Sequence, residues 1–272
     1  MVIRFRVFFG AFAPEWLICP RLMSRNASLF KSSLGKKFVM AASGALLFLF
    51  VVGHLVGNLQ VFLGSEAINR YGHFLQSNVE LLWPVRIGLL VLVGLHIWSA
   101  IQLSLENKAA RPVSYAGAPT PPAASYASRT MLMSGLIITA FVIYHLLHYT
   151  AQVQAINLTG KDFLTLHDEK GRHDVYAMMV LGFQQPLVSG FYVVAMALLC
   201  LHLSHGVYAM FQSLGIKVGC CPGLPKCLAK WGAILIFAGY ASIPVAVLAG
   251  WGGNYVNKKP TVPITAGKEA AK

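Results

Sequence analysis

Apolar residues run almost unbroken through five stretches of the chain, roughly 37–63, 82–105, 129–151, 185–212 and 230–252. Each is near the length of about 20 residues that a helix needs to cross the hydrocarbon of a bilayer. Lipid offers no partner to a free backbone N–H or C=O, so each stretch must satisfy its hydrogen bonds internally, as a helix. The pattern predicts an all-α fold, a polytopic membrane protein whose five transmembrane helices form a bundle over residues 31–252. Residues 1–30 are read as an N-terminal extension and 253–272 as a polar tail. The extension has an Arg-bearing start and a short apolar run, but Pro14, Glu15 and Pro20 interrupt it and no small-residue cleavage site is obvious, so it is read as non-spanning. Met23 is an equally good natural start. No connection between spans is long enough for a soluble catalytic domain, so a water-soluble substrate would be handled by another chain.

Composition agrees: 56% of the residues are hydrophobic, 11% are charged and the mean hydropathy is +0.62. Charge adds orientation. The N-terminal segment carries Arg4, Arg6, Arg21, Arg25, Lys31, Lys36 and Lys37 against Glu15. The second and fourth connections hold Lys108, Arg111 and Arg129, then Lys217, Lys226 and Lys230. Basic residues mark the cytoplasmic side, which places the N-terminus there. Glu66, Glu80, Asp162, Asp168, Glu169 and Asp174 then fall in outer connections. The tail with Lys258, Lys259, Lys268 and Lys272 also falls outside, against the rule. The net charge of +13 is spread over membrane-flanking segments rather than gathered on one soluble element, which excludes nucleic acid as a partner. It suits anionic lipid or an acidic protein surface.

Chemistry enters with histidines inside the spans: His54, His96, His145, His148, His202 and His205. An imidazole in hydrocarbon faces the bundle interior and needs a partner, through a helix-helix hydrogen bond, a proton relay or a metal. At 1.5 Å per residue, His54 lies about 25 Å and His145 about 24 Å from the inner ends of their spans, level near the outer face. The second and fourth spans run the other way, and His96 and His202 lie about 21 Å and about 25 Å from their outer ends, both in the inner half. Two level pairs on four helices are what two bis-histidine haems stacked across a bilayer need. The absence of C-x-x-C-H makes any such haem b-type.

His148 and His205 sit one turn nearer the water, where a porphyrin centred on them would leave the bundle. They are expected to be wetted interfacial residues, with propionate or quinone contacts as the alternative. Ser43, Ser99 and Ser204 are candidate partners for the second ring nitrogens of the ligands. Gly53 and Gly57 bracket His54, and Gly44, Gly94 and Gly206 lie near the ligands; close helix packing and room for a flat macrocycle explain them equally. The irregular "CCPGLPKC", with Cys220, Cys221 and Cys227, reads as reduced surface thiols.

Over roughly residues 30–250 the chain resembles the cytochrome b membrane-anchor subunit of succinate dehydrogenases and fumarate reductases of the five-helix, two-haem type. The likeness rests on "SGALLFLFVVGHLVGN", "LHIWSAIQ", "VIYHLLHYT" and "LHLSHGVYAMF". It implies that His54 and His145 bind an outer haem, and His96 and His202 an inner one. It implies further a flavoprotein (FAD) subunit and an iron-sulfur subunit docked on the cytoplasmic face, a membrane quinone (menaquinone preferred to ubiquinone), and a place in the bacterial inner membrane and the respiratory chain. The anchor itself would bear no catalytic residue for succinate. A glutamate that some members carry two residues before the fourth-span ligand is Cys200 here, so a proton route through that position is missing. Glu66, His73, Gln76 and Glu80 are candidates for a quinone pocket, none of them assigned.

Two other readings stay open. The same histidines would serve the di-haem anchor of a hydrogenase or formate dehydrogenase, although the Ser-Gly-to-His spacing and the span count fit less well. A transporter with a histidine proton relay would be colourless and would call for intramembrane carboxylates, which these spans essentially lack.

Overall fold

Residues 29–110, 126–216 and 223–258 are described by a computed structural model, and among them every regular element is helical. In chain order these are α1 (Ser33–Leu59), α2 (Ser65–Ser77), α3 (Val79–Ala109), α4 (Tyr126–Arg129), α5 (Met131–His145), α6 (Val175–Phe183), α7 (Pro186–Ser213), α8 (Leu224–Leu248) and α9 (Gly253–Lys258). A 3-10 turn, Gln60–Leu63, extends α1, and a π-helical turn, Leu146–Thr150, extends α5. With these extensions α1, α3, α5, α7 and α8 are long and apolar enough to cross a membrane. Arg4, Arg6, Arg21, Arg25, Arg111, Lys217, Cys220, Cys221, Lys259, Lys268 and Lys272 lie outside the described residues.

Local chemistry sets the helix ends. The Ser32 hydroxyl accepts the Gly35 N–H at 3.0 Å to open α1, and Pro186 and Pro225 occupy the first turns of α7 and α8, where a missing N–H costs nothing. Gly64, at φ +101°, separates the 3-10 turn from α2, a conformation a side chain would strain. The spans keep much of their apolar surface outward: Leu34 is 72% exposed and Leu187 79%. Outward-facing leucine on long apolar helices is the surface of a multi-pass membrane protein, with lipid as the solvent.

Inside the bundle α1 packs on α3 and α7, α5 on α7, and α7 lies along α8. At the basal end, where α1 begins and α3 ends, Lys36 and Ser33 both reach Glu106, so a buried ammonium is paired. The opposite end is capped. There α6, assigned from the sequence to a connection, is buried from Tyr176 to Phe183. Its nine residues extend only about 14 Å, too short to cross, and it buries its apolar surface under the ends of α7 and α8 instead. Val180 within it is 0% exposed, worth about 1.5–3 kcal/mol of hydrophobic stabilisation.

Polar bonds fasten α2 to this cap. Asp174 caps α6 through the Ala177 N–H and accepts from Asn69 Nδ2 and Tyr255 Oη, while Asn69 Oδ1 accepts the Tyr176 N–H. At the surface Glu66 pairs with Arg172 at 2.7 Å and Lys170 at 3.0 Å. Hydrogen bonds from Arg172, then Lys170, hold its carboxyl down at about 2.

Candidate functional site: two histidine pairs

The capped-end pair is built by α1 and α5. Helical spacing turns His54 of α1 and His145 of α5 towards each other, with ring centroids 5.8 Å apart. Phe50, one turn earlier, stacks on the His54 ring. Tyr240 of α8 approaches the same ring and donates its hydroxyl to the Val51 carbonyl at 2.8 Å, which anchors it there. On the other side, His145 Nδ1 lies 3.2 Å from Tyr192 Oη of α7.

The basal pair is built by α3 and α7, with His96 and His202 ring centroids 6.4 Å apart. Each ring has its second nitrogen held by the opposite helix pair. His96 Nδ1 sits 3.2 Å from the Met40 carbonyl and 3.3 Å from Ser43 Oγ. A carbonyl only accepts, and the Ser43 hydroxyl proton is committed to the Val39 carbonyl at 2.7 Å. The hydrogen is therefore on His96 Nδ1, and Nε2 presents its lone pair. At His202 a serine alone takes this place among the described residues: Nδ1 is 3.2 Å from Ser134 Oγ, whose hydroxyl donates to the Met131 carbonyl at 3.1 Å.

Of the candidate serine partners, Ser43 is engaged, Ser99 donates instead to the His96 carbonyl, and Ser204 turns to Leu201. Ser134 and Tyr192 were not anticipated. A signal for Ser134 existed: Ser43-Gly44 precedes His54, and Ser134-Gly135 precedes His145, by the same number of residues. In both helices the Ser-Gly step faces the basal pair and the histidine belongs to the capped-end pair. A Cβ on Gly44 would lie 3.1 Å from His96 Cε1, and one on Gly135 3.5 Å from His202 Cε1. The ten-residue rise from glycine to histidine puts the two pairs about 15 Å apart along either helix.

This geometry can be tested against a metal. Two imidazoles bound end-on to one ion, with metal–nitrogen distances of about 2 Å, hold their centroids about 6 Å apart, close to both observed pairs. Among the described residues no group of three or more His, Cys, Asp or Glu could hold a metal ion. Two imidazoles at this separation would fit a metal whose remaining donors come from a planar macrocycle such as haem. The glycines behave differently from a packing stripe: a Cβ on Gly53 or Gly94 would meet nothing within 4 Å, whereas Gly57 is closed by Tyr71.

His148 corrects an expectation. Rather than a wetted interfacial residue it is 0% exposed, because α6 and the loop before it fold over the end of α5. Its Nδ1 shares Tyr192 Oη with His145 at 3.1 Å, and its Nε2 is buried with no partner among the described residues. Leaving such a group unpaired costs about 1–3 kcal/mol. His205 is half-buried, and His202 is the one that faces His96. Of the quinone candidates, Glu66 is ion-paired, and His73, Gln76 and Glu80 are exposed. None lines the shallow cleft at the capped end, which is formed by Gln60, Ala67, Arg70, Tyr71 and Phe74. Cys200 is half-buried on α7 and Cys227 exposed on α8, both as free thiols. No family model, no curated protein and no solved structure matches the chain.

Proposed function

We propose that the chain is the membrane-anchor cytochrome b subunit of a succinate:quinone or fumarate:quinone oxidoreductase, holding two b-type haems. The observation that carries this reading is the meeting of four histidines, from four spans, in two pairs 5.8 Å and 6.4 Å apart between ring centroids. His54 and His145 would hold one haem, His96 and His202 the other. When bound, haem supplies one-electron redox chemistry.

The chain's own residues supply position and protonation. Met40, Ser43 and Ser134 keep the hydrogen on Nδ1 of the basal histidines, which reserves Nε2 for iron. Tyr192 Oη, 3.2 Å from His145 Nδ1 and 3.1 Å from His148 Nδ1, would do the same for His145 by accepting there and giving its own proton to His148. The apolar spans exclude water, which with ligand identity tunes potential.

In this reading the basal end faces the cytoplasm of a bacterium and docks the iron-sulfur and flavoprotein (FAD) subunits on its basic surface. Electrons pass between that surface and a quinone, preferably menaquinone, near the capped-end pair. The cleft of Arg70, Tyr71 and Phe74 is its nearest opening, since Tyr71 backs Gly57 three residues after His54.

The test is a reduced-minus-oxidised spectrum with an iron and pyridine haemochrome assay on the purified chain. About two haems per chain are expected; a colourless protein would end the proposal. His54→Ala and His145→Ala should delete one and the same haem, His96→Ala and His202→Ala the other. A co-purifying flavoprotein separates this reading from a hydrogenase or formate dehydrogenase anchor.

A further inference from the structure

Between the end of α5 and α6 runs a column of buried polar groups that the histidine pairs leave unused. It starts at Tyr192 Oη, continues through His148, and reaches Tyr149, whose ring stacks on His148 at 4.0 Å. Tyr149 Oη and His148 Nε2 are both buried without a hydrogen-bond partner among the described residues. Gly182 makes their room: a Cβ there would lie 2.5 Å from Tyr149 Oη and 3.3 Å from His148 Cε1. One turn earlier on α6, Met178 Sδ receives Gln152 Nε2 at 3.3 Å. Gln152 Nε2 also lies 3.0 Å from His173 Nε2, while its Oε1 is buried and unpartnered. His173 is half-buried, and its backbone pairs with that of exposed His167 at the surface of the cap.

The backbone is specialised along the same stretch. A π-helical turn follows His145, a feature concentrated at functional sites. Gln152 then ends the turn at φ +54°, where glycine is the undemanding choice. The Gln152 side chain reaches Met178 Sδ and His173 Nε2 from that position.

Three polar atoms on His148, Tyr149 and Gln152, buried without a partner among the described residues, call for internal water, which bonds such groups. We propose that this column is a hydrated proton path joining the aqueous face of the cap to Tyr192 beside the His54/His145 pair. Its use rests on the reading of that pair as a redox centre; its hydration does not.

Two measurements on the intact complex decide it. In radiolytic hydroxyl labelling, internal water should oxidise Met178 several-fold faster than the equally buried Met179 and Met196, which are 6%, 5% and 9% exposed respectively. Equal rates would overturn the proposal whether or not the protein carries haem. In stopped-flow reduction by quinol, Gln152→Leu, which plugs the column with an apolar chain, should slow the reaction roughly tenfold or more. Gln152→Gly suits the positive φ and leaves space for water, so it should remain near the wild-type rate. Equal slowing by both variants, or by neither, would refute the path, whereas a colourless complex would refute the proposed function instead.

Discussion

Ser134 and Ser43 occupy matching places in α5 and α1, yet replacing them should have unequal consequences. In Ser134→Ala the Nδ1–H of His202 loses its acceptor among the described residues, 3.2 Å away, inside an apolar bundle. An orphaned buried donor costs about 1–3 kcal/mol, and loss of a partner behind a metal-binding histidine typically costs about 10–100-fold in affinity. In Ser43→Ala the His96 Nδ1–H keeps the Met40 carbonyl at 3.2 Å, so the loss is that of one ordinary hydrogen bond, about 0.5–1.5 kcal/mol or up to about tenfold. Under the proposed function the assay is haemin titration of the purified chain with resolved spectra of the two haems it would hold, alongside Ser134→Thr, which restores the hydroxyl. Ser134→Ala should weaken the basal haem more than Ser43→Ala and leave the other haem unchanged. Equal effects, or a larger effect of Ser43→Ala, would refute the tautomer argument.

The glycines give a reversed asymmetry: Gly44→Ala places a methyl 3.1 Å from His96 Cε1 and should displace the ring and shift the spectrum of the haem proposed there, while Gly135→Ala, at 3.5 Å from His202 Cε1, should be tolerated. Glu66 sets an acid limit on the cap. Its carboxyl is held below the ordinary 4.5, at about 2, so its ion pairs are fully present above about 4.5 and fade as pH falls towards about 2. Hydrogen exchange in α2 should rise over that window, and Glu66→Gln should show the same loosening at neutral pH; unchanged exchange in both would remove the ion pairs from the account.

Much of the frame was legible because a bilayer enforces it. An apolar stretch of this length has one hydrogen-bonded solution, and the observed spans start and end within a few residues of the apolar runs. The facing of His54 with His145 and of His96 with His202 was legible because antiparallel helices convert residue count into depth. The groups behind them were harder to see. Ser134 carried a spacing signal, but Tyr192 lies in another helix, at no distinctive interval from His145. The burial of His148 depends on α6, whose nine apolar residues read as part of a connection.

The order of apolar and polar residues therefore settled the number of crossing helices and the levels at which their imidazoles lie, since both depend on rise per residue and on the cost of bare backbone in lipid. Rotation of each helix about its own axis, and so which imidazole meets which, was left to the packing of α1, α3, α5 and α7. So was the fate of the loops: only when α2 and α9 pack on α6 do Asn69, Asp174 and Tyr255 meet, and only when α6 reaches the end of α5 does Gly182 close on Tyr149 and His148. Contacts between residues a hundred positions apart are decided by the shape of the packed surfaces, which no local pattern encodes.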